Sequence, residues 1–236
     1  MEDNRTEELK KVRDGVVNLT ESPLYKARVK PVVGEGNHYA RIMFVGEAPG
    51  RNESETGRPF CGAAGKILDE LLASVGIKRE DVYITNLLKD RPPGNRDPLP
   101  EEIALYAPFL DRQIEIIKPK AIVFLGRFSM AYLMKKFGLE AHLAPIGRIH
   151  GRVFKAEASW GEVVLVPLYH PAAVIYNQSL KEVLKEDFKS LKKFEKGEVV
   201  FGTEAAAPPA AEKEAARPAK GNDKKDDEKP AQQPLL

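Results

Sequence analysis

Residues 41–50 read Arg-Ile-Met-Phe-Val-Gly-Glu-Ala-Pro-Gly, RIMFVGEAPG. The unbroken apolar run that stops at a Gly/Pro turn predicts a short strand buried on both faces, spanning 41–46. The pattern recurs at 82–85 (VYIT), 121–125 (AIVFL) and 163–168 (VVLVPL). Between these runs, 64–75, 100–117 and 127–137 carry apolar residues at helical spacing. Residues 7–18 read as a short helix. Residues 179–196 read as a closing helix with Leu180, Val183, Leu184, Phe188 and Leu191 on one face. Strands alternating with helices predict an α/β fold, a parallel sheet with helices on both sides. In such sheets ligands bind outside the carboxyl ends of the strands, so the residues that follow each run are where function is sought.

The rest of the composition narrows the function classes. A single cysteine, Cys61, in 236 residues excludes an intramolecular disulfide framework and any all-thiolate metal cage. Lys and Arg total 37 against 35 Asp and Glu, a net +2, which is no polybasic signature. No apolar run approaches the roughly 18 residues of a membrane span, and the charged start MEDNRTEELKK is unlike a signal peptide. A soluble, cytoplasmic protein is expected, nucleoid-associated if the source is a prokaryote. Composition shifts at Gly202: residues 202–236 hold nine Ala and five Pro, with no aromatic or β-branched residue after Thr203. Such a stretch buries too little apolar surface to offset its ordering entropy. The expected organisation is therefore one domain over 1–201 and a disordered tail over 202–236, a solubilising segment or a tether for a protein partner.

Three strand ends carry chemistry. The first runs into Gly46-Glu47-Ala48-Pro49-Gly50, a sharp turn whose backbone N–H groups can face a ligand. Gly57-Arg58-Pro59-Phe60-Cys61-Gly62 follows. Its glycines have P-loop separation, but Gly62 is not followed by Lys-Ser/Thr, so a phosphate-binding loop is rejected. The second strand ends at Asn86, whose carboxamide suits a base edge, or equally an Asx turn. The fourth ends in Tyr169-His170-Pro171-Ala172, which offers a histidine for charge stabilisation or a structural one. Cys61 reads as a small buried residue. No G-x-S-x-G elbow is present, which argues against an α/β hydrolase.

Taken in order, GEAPG, GRPFCGAAG, ITNLLKDRPPGNRDP, LGRFS and HPA resemble the family 4 uracil-DNA glycosylases, over roughly residues 22–194. The resemblance implies a three-layer α/β/α sandwich around a four-stranded parallel sheet. It implies an enzyme, a monofunctional hydrolase that removes uracil from DNA to leave an abasic site in base-excision repair. By the same resemblance Phe60 stacks on the flipped-out base, and Asn86 hydrogen-bonds its Watson–Crick edge. Gly46, Glu47 and Ala48 hold the ring, and Glu47 orients water or stabilises the cationic sugar. His170 stabilises negative charge on uracil O2. Ala48 stands where many glycosylases of the wider superfamily carry an aspartate.

Lys89, Arg91, Arg96 and Arg148 are candidate phosphate contacts. Ile175 or Tyr176 is the candidate wedge that fills the space the base vacates. The family usually carries a four-cysteine iron–sulfur cluster. Aligned on the flanking motifs, its ligand positions here hold Leu19, Ser22, Asp90 and Tyr106, so no cluster and no metal are expected. Uracil-containing DNA is the expected partner and a monomer the expected state. Two alternatives remain open at this point. One is a non-catalytic module binding uracil or single-stranded DNA. The other is a glycosylase for another deaminated base such as hypoxanthine.

Overall fold

The computed structural model describes residues 4–195. The tail expected over 202–236 lies outside the described residues, as does the boundary at 201. Six strands form one sheet: β1 (Glu35–Gly36), β2 (Ile42–Gly46), β3 (Tyr83–Asn86), β4 (Ala121–Leu125), β5 (Phe154–Ala158) and β6 (Gly161–Leu168), in the order β1-β3-β2-β4-β6-β5. The four expected strands are its parallel centre. The sequence reading missed the two antiparallel edges. Their reason is local: β1 has two residues, and β5 alternates with the polar Lys155 and Glu157, so neither forms an apolar run.

The helices are α1 (Arg5–Val17), α2 (Arg51–Thr56), α3 (Ala63–Ser74), α4 (Pro100–Ile117), α5 (Arg127–Lys136), α6 (Ile146–Ile149), α7 (Ala173–Tyr176), α8 (Leu180–Lys189) and α9 (Lys192–Glu195). Alternate strand residues serve opposite cores, as the pleat requires. Met43, Val45, Ile122 and Phe124 pack with α1, α4 and α5. Ile42, Phe44, Val123 and Val166 pack with α3 and α8. The result is the expected three-layer sandwich. The single closing helix expected over 179–196 is corrected. Ser190 and Leu191 make i→i−3 bonds to Asp187 and Phe188, and Ser190 Oγ takes the Asp187 carbonyl at 2.7 Å, which breaks the run between α8 and α9. Among the described residues no helix is long and apolar enough to cross a membrane.

Candidate active site

Gly46 and Asn86 are register partners in the β2–β3 ladder, so the ends of these strands lie side by side. The segment after Asn86 stays pinned to the first turn: Leu87 and Leu88 donate to the carbonyls of Gly46 and Glu47, both at 3.0 Å. His170 follows β6 and lies over Gly126 at the end of β4, where a Cβ would stand 3.4 Å from the His170 Cβ. Chain order reverses about β2, and at this edge opens a cavity of about 330 Å³. Glu47, Ala48, Phe60, Asn86 and His170 line it, joined by Arg96 and Tyr176.

Gly46 forms the close contact beneath these groups. A Cβ there would fall 2.3 Å from Asn86 Oδ1 and 2.7 Å from Phe60 Cζ, so a side chain would displace both. Asn86 is buried, and its Oδ1 has no hydrogen-bond partner. A buried acceptor left open costs about 1–3 kcal/mol, which a ligand donor would recover.

Phe60 is held in a left-handed backbone conformation, φ 48°, from both sides. Glu53 Oε1 accepts from the N–H groups of Cys61 (3.0 Å) and Gly62 (2.8 Å), and the Arg79 guanidinium donates to the Pro59 carbonyl at 2.6 Å. Gly65 must lack a side chain, since its Cβ would lie 1.8 Å from the Phe60 carbonyl oxygen. The Phe60 ring stacks with His170, centroids 5.5 Å apart. Cys61 is half-buried rather than buried, with its Sγ 3.2 Å from Thr56 Oγ1.

Two side chains are tuned. Burial, with Asp97 adding to it and Arg127 opposing, raises the Glu47 pKa to about 7. Burial lowers that of His170 to about 4, so its ring is neutral at physiological pH. The Ala172 N–H donates to His170 Nδ1 at 3.1 Å. The ring proton therefore resides on Nε2, which makes that atom a donor.

The expected DNA contacts divide. Arg96 lines the cavity and pairs with Glu102. Arg91 does not line the cavity but bonds through Nε at 2.7 Å to Oδ1 of Asn95, which does, and Arg148 stands exposed on α6 outside it. Ile175 and Tyr176 are exposed on α7, at 47% and 89%, anchored by buried Val174; of the two only Tyr176 lines the cavity. Lys89 is corrected. It is fully buried, with Nζ bonded to Thr85 Oγ1 (2.6 Å), the Asn86 carbonyl (2.7 Å) and Gln113 Oε1 (2.6 Å), so it reaches no phosphate. The sequence reading missed Asn95 and Glu53. Asn95 has a signal, an asparagine at φ 55° in a Pro-Pro-Gly-Asn turn. Glu53 has none, because its partners lie eight and nine residues away.

A family model, the uracil DNA glycosylase superfamily, matches residues 33–194. The chain belongs to this superfamily. The type-4 uracil-DNA glycosylase of Archaeoglobus fulgidus is 49% identical over 177 residues, 75% of this chain and 87% of that protein. That of Sulfurisphaera tokodaii is 45% identical over 185 residues, 78% and 83%. That of Thermotoga maritima is 42% identical over 197 residues, 82% and 98%.

In this superfamily member Leu19, Ser22, Asp90 and Tyr106 do converge, around a side chain the sequence reading did not identify. Arg28 donates Nε to both Asp90 oxygens (2.8 and 2.9 Å), Nη2 to Asp90 Oδ2 (2.6 Å) and to the Leu19 carbonyl (3.3 Å). The Tyr106 hydroxyl bonds Ser22 Oγ (2.8 Å) and the Asp90 carboxylate. Burial, and Asp90 beside it, raise the Tyr106 pKa and keep that hydroxyl protonated. A hydroxyl, a phenol, a carboxylate already paired with arginine and an alkyl chain do not fit an iron–sulfur cluster, which is held by thiolates. Among the described residues no group of three or more His, Cys, Asp or Glu stands ready for a metal.

Proposed function

We propose that the protein is a monofunctional uracil-DNA glycosylase. It hydrolyses the N-glycosidic bond of a flipped-out uracil and leaves an abasic site for base-excision repair. The observation that carries this reading is the buried, unpartnered Asn86 Oδ1 in a cavity shared with Phe60, Glu47 and His170. Uracil N3–H satisfies that oxygen, whereas cytosine presents a lone pair at N3 and leaves it opposed. Phe60 returns part of the cost of extruding the base. As the C1′–N1 bond breaks, its electron pair moves onto the base and towards O2, where His170 Nε2–H donates a hydrogen bond that strengthens with the charge. The ionised Glu47 faces the cationic sugar and orients the attacking water. Arg91, Arg96 and Arg148 hold phosphates, and Tyr176, the more exposed of the α7 pair, is the wedge. The enzyme works without an iron–sulfur cluster, its place taken by the Arg28–Asp90–Tyr106–Ser22 network.

Base release from oligonucleotides bearing uracil, hypoxanthine, xanthine or thymine mismatches tests this. Release of uracil is the expected result, and tight binding to uracil-DNA without release would instead mark a non-catalytic module. Phe60→Ala lowers single-turnover release by about 10- to 100-fold, the loss of one base–aromatic stack of roughly 1–3 kcal/mol. Asn86→Asp erodes the preference for uracil over cytosine, read as the ratio of the two release rates on matched substrates.

A further inference from the structure

Lys89 is a fully buried lysine whose three contacts are all to uncharged groups. Each contact is an acceptor. The Thr85 hydroxyl spends its proton on the Val33 carbonyl at 2.7 Å. The Gln113 amide nitrogen spends its own on Val33 and the Tyr83 hydroxyl, at 2.9 and 3.1 Å, which turns Oε1 towards Lys89. The third acceptor is the main-chain carbonyl of Asn86. Three acceptors at 2.6–2.7 Å match the three N–H bonds of an ammonium, and a neutral amine would leave one facing a lone pair. Burial acts the other way and lowers the Lys89 pKa well below its usual value. A buried lysine held by three neutral acceptors, with no carboxylate among those contacts, stands just beyond the end of β3.

We propose that Lys89 is a positioning residue for Asn86: its ammonium ties the Asn86 carbonyl to Thr85 and Gln113, and so fixes the backbone from which the carboxamide enters the cavity. The geometry is specific, because Asn86 Oδ1 also has Gly46 tightly beneath it and little room to move without losing its place. This rests on the glycosylase reading, under which the amide is the group that reads uracil.

The test uses the full chain with Lys89→Met, close in volume and without donors, and the milder Thr85→Val, each alone and combined with Asn86→Ala. The first readout, the side-chain amide resonances of Asn86 in ¹⁵N NMR, needs no activity. Both single variants shift or broaden that pair. The second is single-turnover uracil release. Lys89→Met loses about 10- to 100-fold, in line with a displacement on the order of 1 Å at a reacting group. Thr85→Val loses less, and both losses vanish in the Asn86→Ala background. Unchanged Asn86 resonances, or the same fold-loss whether or not Asn86 is present, would overturn the proposal. If Lys89→Met does not fold, Thr85→Val decides by the same two readouts. A parent protein that releases no uracil overturns the glycosylase reading, and the resonances still decide the role of Lys89.

Discussion

Glu47→Gln lowers kcat/KM for uracil release by about 10²–10³-fold at pH 8, the usual effect of deleting one preorganised charge-stabilising group. The loss shrinks as pH falls. In the parent, log kcat/KM rises with pH up to about 7, where Glu47 becomes ionised, and then levels. His170, at about 4, takes up its proton only below that limb, so the acid side of the profile belongs to Glu47. The physical cause is burial: a carboxylate poorly solvated in the ground state gains most from a cation that forms beside it in the transition state. The same shift has a stability consequence of opposite sign. The folded protein binds the Glu47 proton more tightly than the unfolded chain, about 7 against 4.5. The contribution is fully present below about 4.5 and is lost as pH rises through 7. Glu47→Gln is therefore more stable than the parent at pH 8, by thermal melting, while being far less active. A profile that keeps its inflection near 7 in the glutamine variant would assign that inflection to another group.

Arg28→Ala destabilises the fold by about 3–5 kcal/mol, because it leaves the Asp90 carboxylate buried with no counter-charge. Arg28 and Asp90 are 7% and 1% exposed, so solvent does not relieve the loss. Denaturant unfolding measures this as a lower midpoint at unchanged slope, and melting as a drop of roughly 6–20 °C. Replacing both members with apolar residues, Arg28→Met with Asp90→Leu, recovers most of the loss, since the pair's own net contribution is small once desolvation is counted. If no cluster binds, as proposed, the expected results for the parent protein are no bound iron, no visible charge-transfer band and unchanged uracil release after chelator treatment. A single-variant loss below about 1 kcal/mol would show that the network is not the staple we describe.

The sheet's centre was legible because 42–46, 83–86, 121–125 and 163–168 are buried on both faces, which leaves mostly apolar runs whose shortness and β-branched or aromatic content mark strands. Glu47, Asn86 and His170 were legible as cavity-lining residues because each ends or directly follows a strand, and Phe60 because it sits in the short GRPF motif between α2 and α3. Lys89 was misread because a basic residue in a polar loop looks solvent-facing whichever way its side chain turns.

By itself, then, the sequence determined the layer architecture, the strand ends that carry chemistry and the want of thiolates, all consequences of residue type and near-neighbour spacing. Tertiary structure alone decided the rest. Glu47 titrates near 7 because of burial and of Asp97, fifty residues on. Asn86 keeps an open acceptor because Gly46, in another strand, has no side chain. Arg28 closes on Asp90 from 62 residues away. Desolvation and long-range pairing depend on what the chain brings together, and no local pattern encodes that.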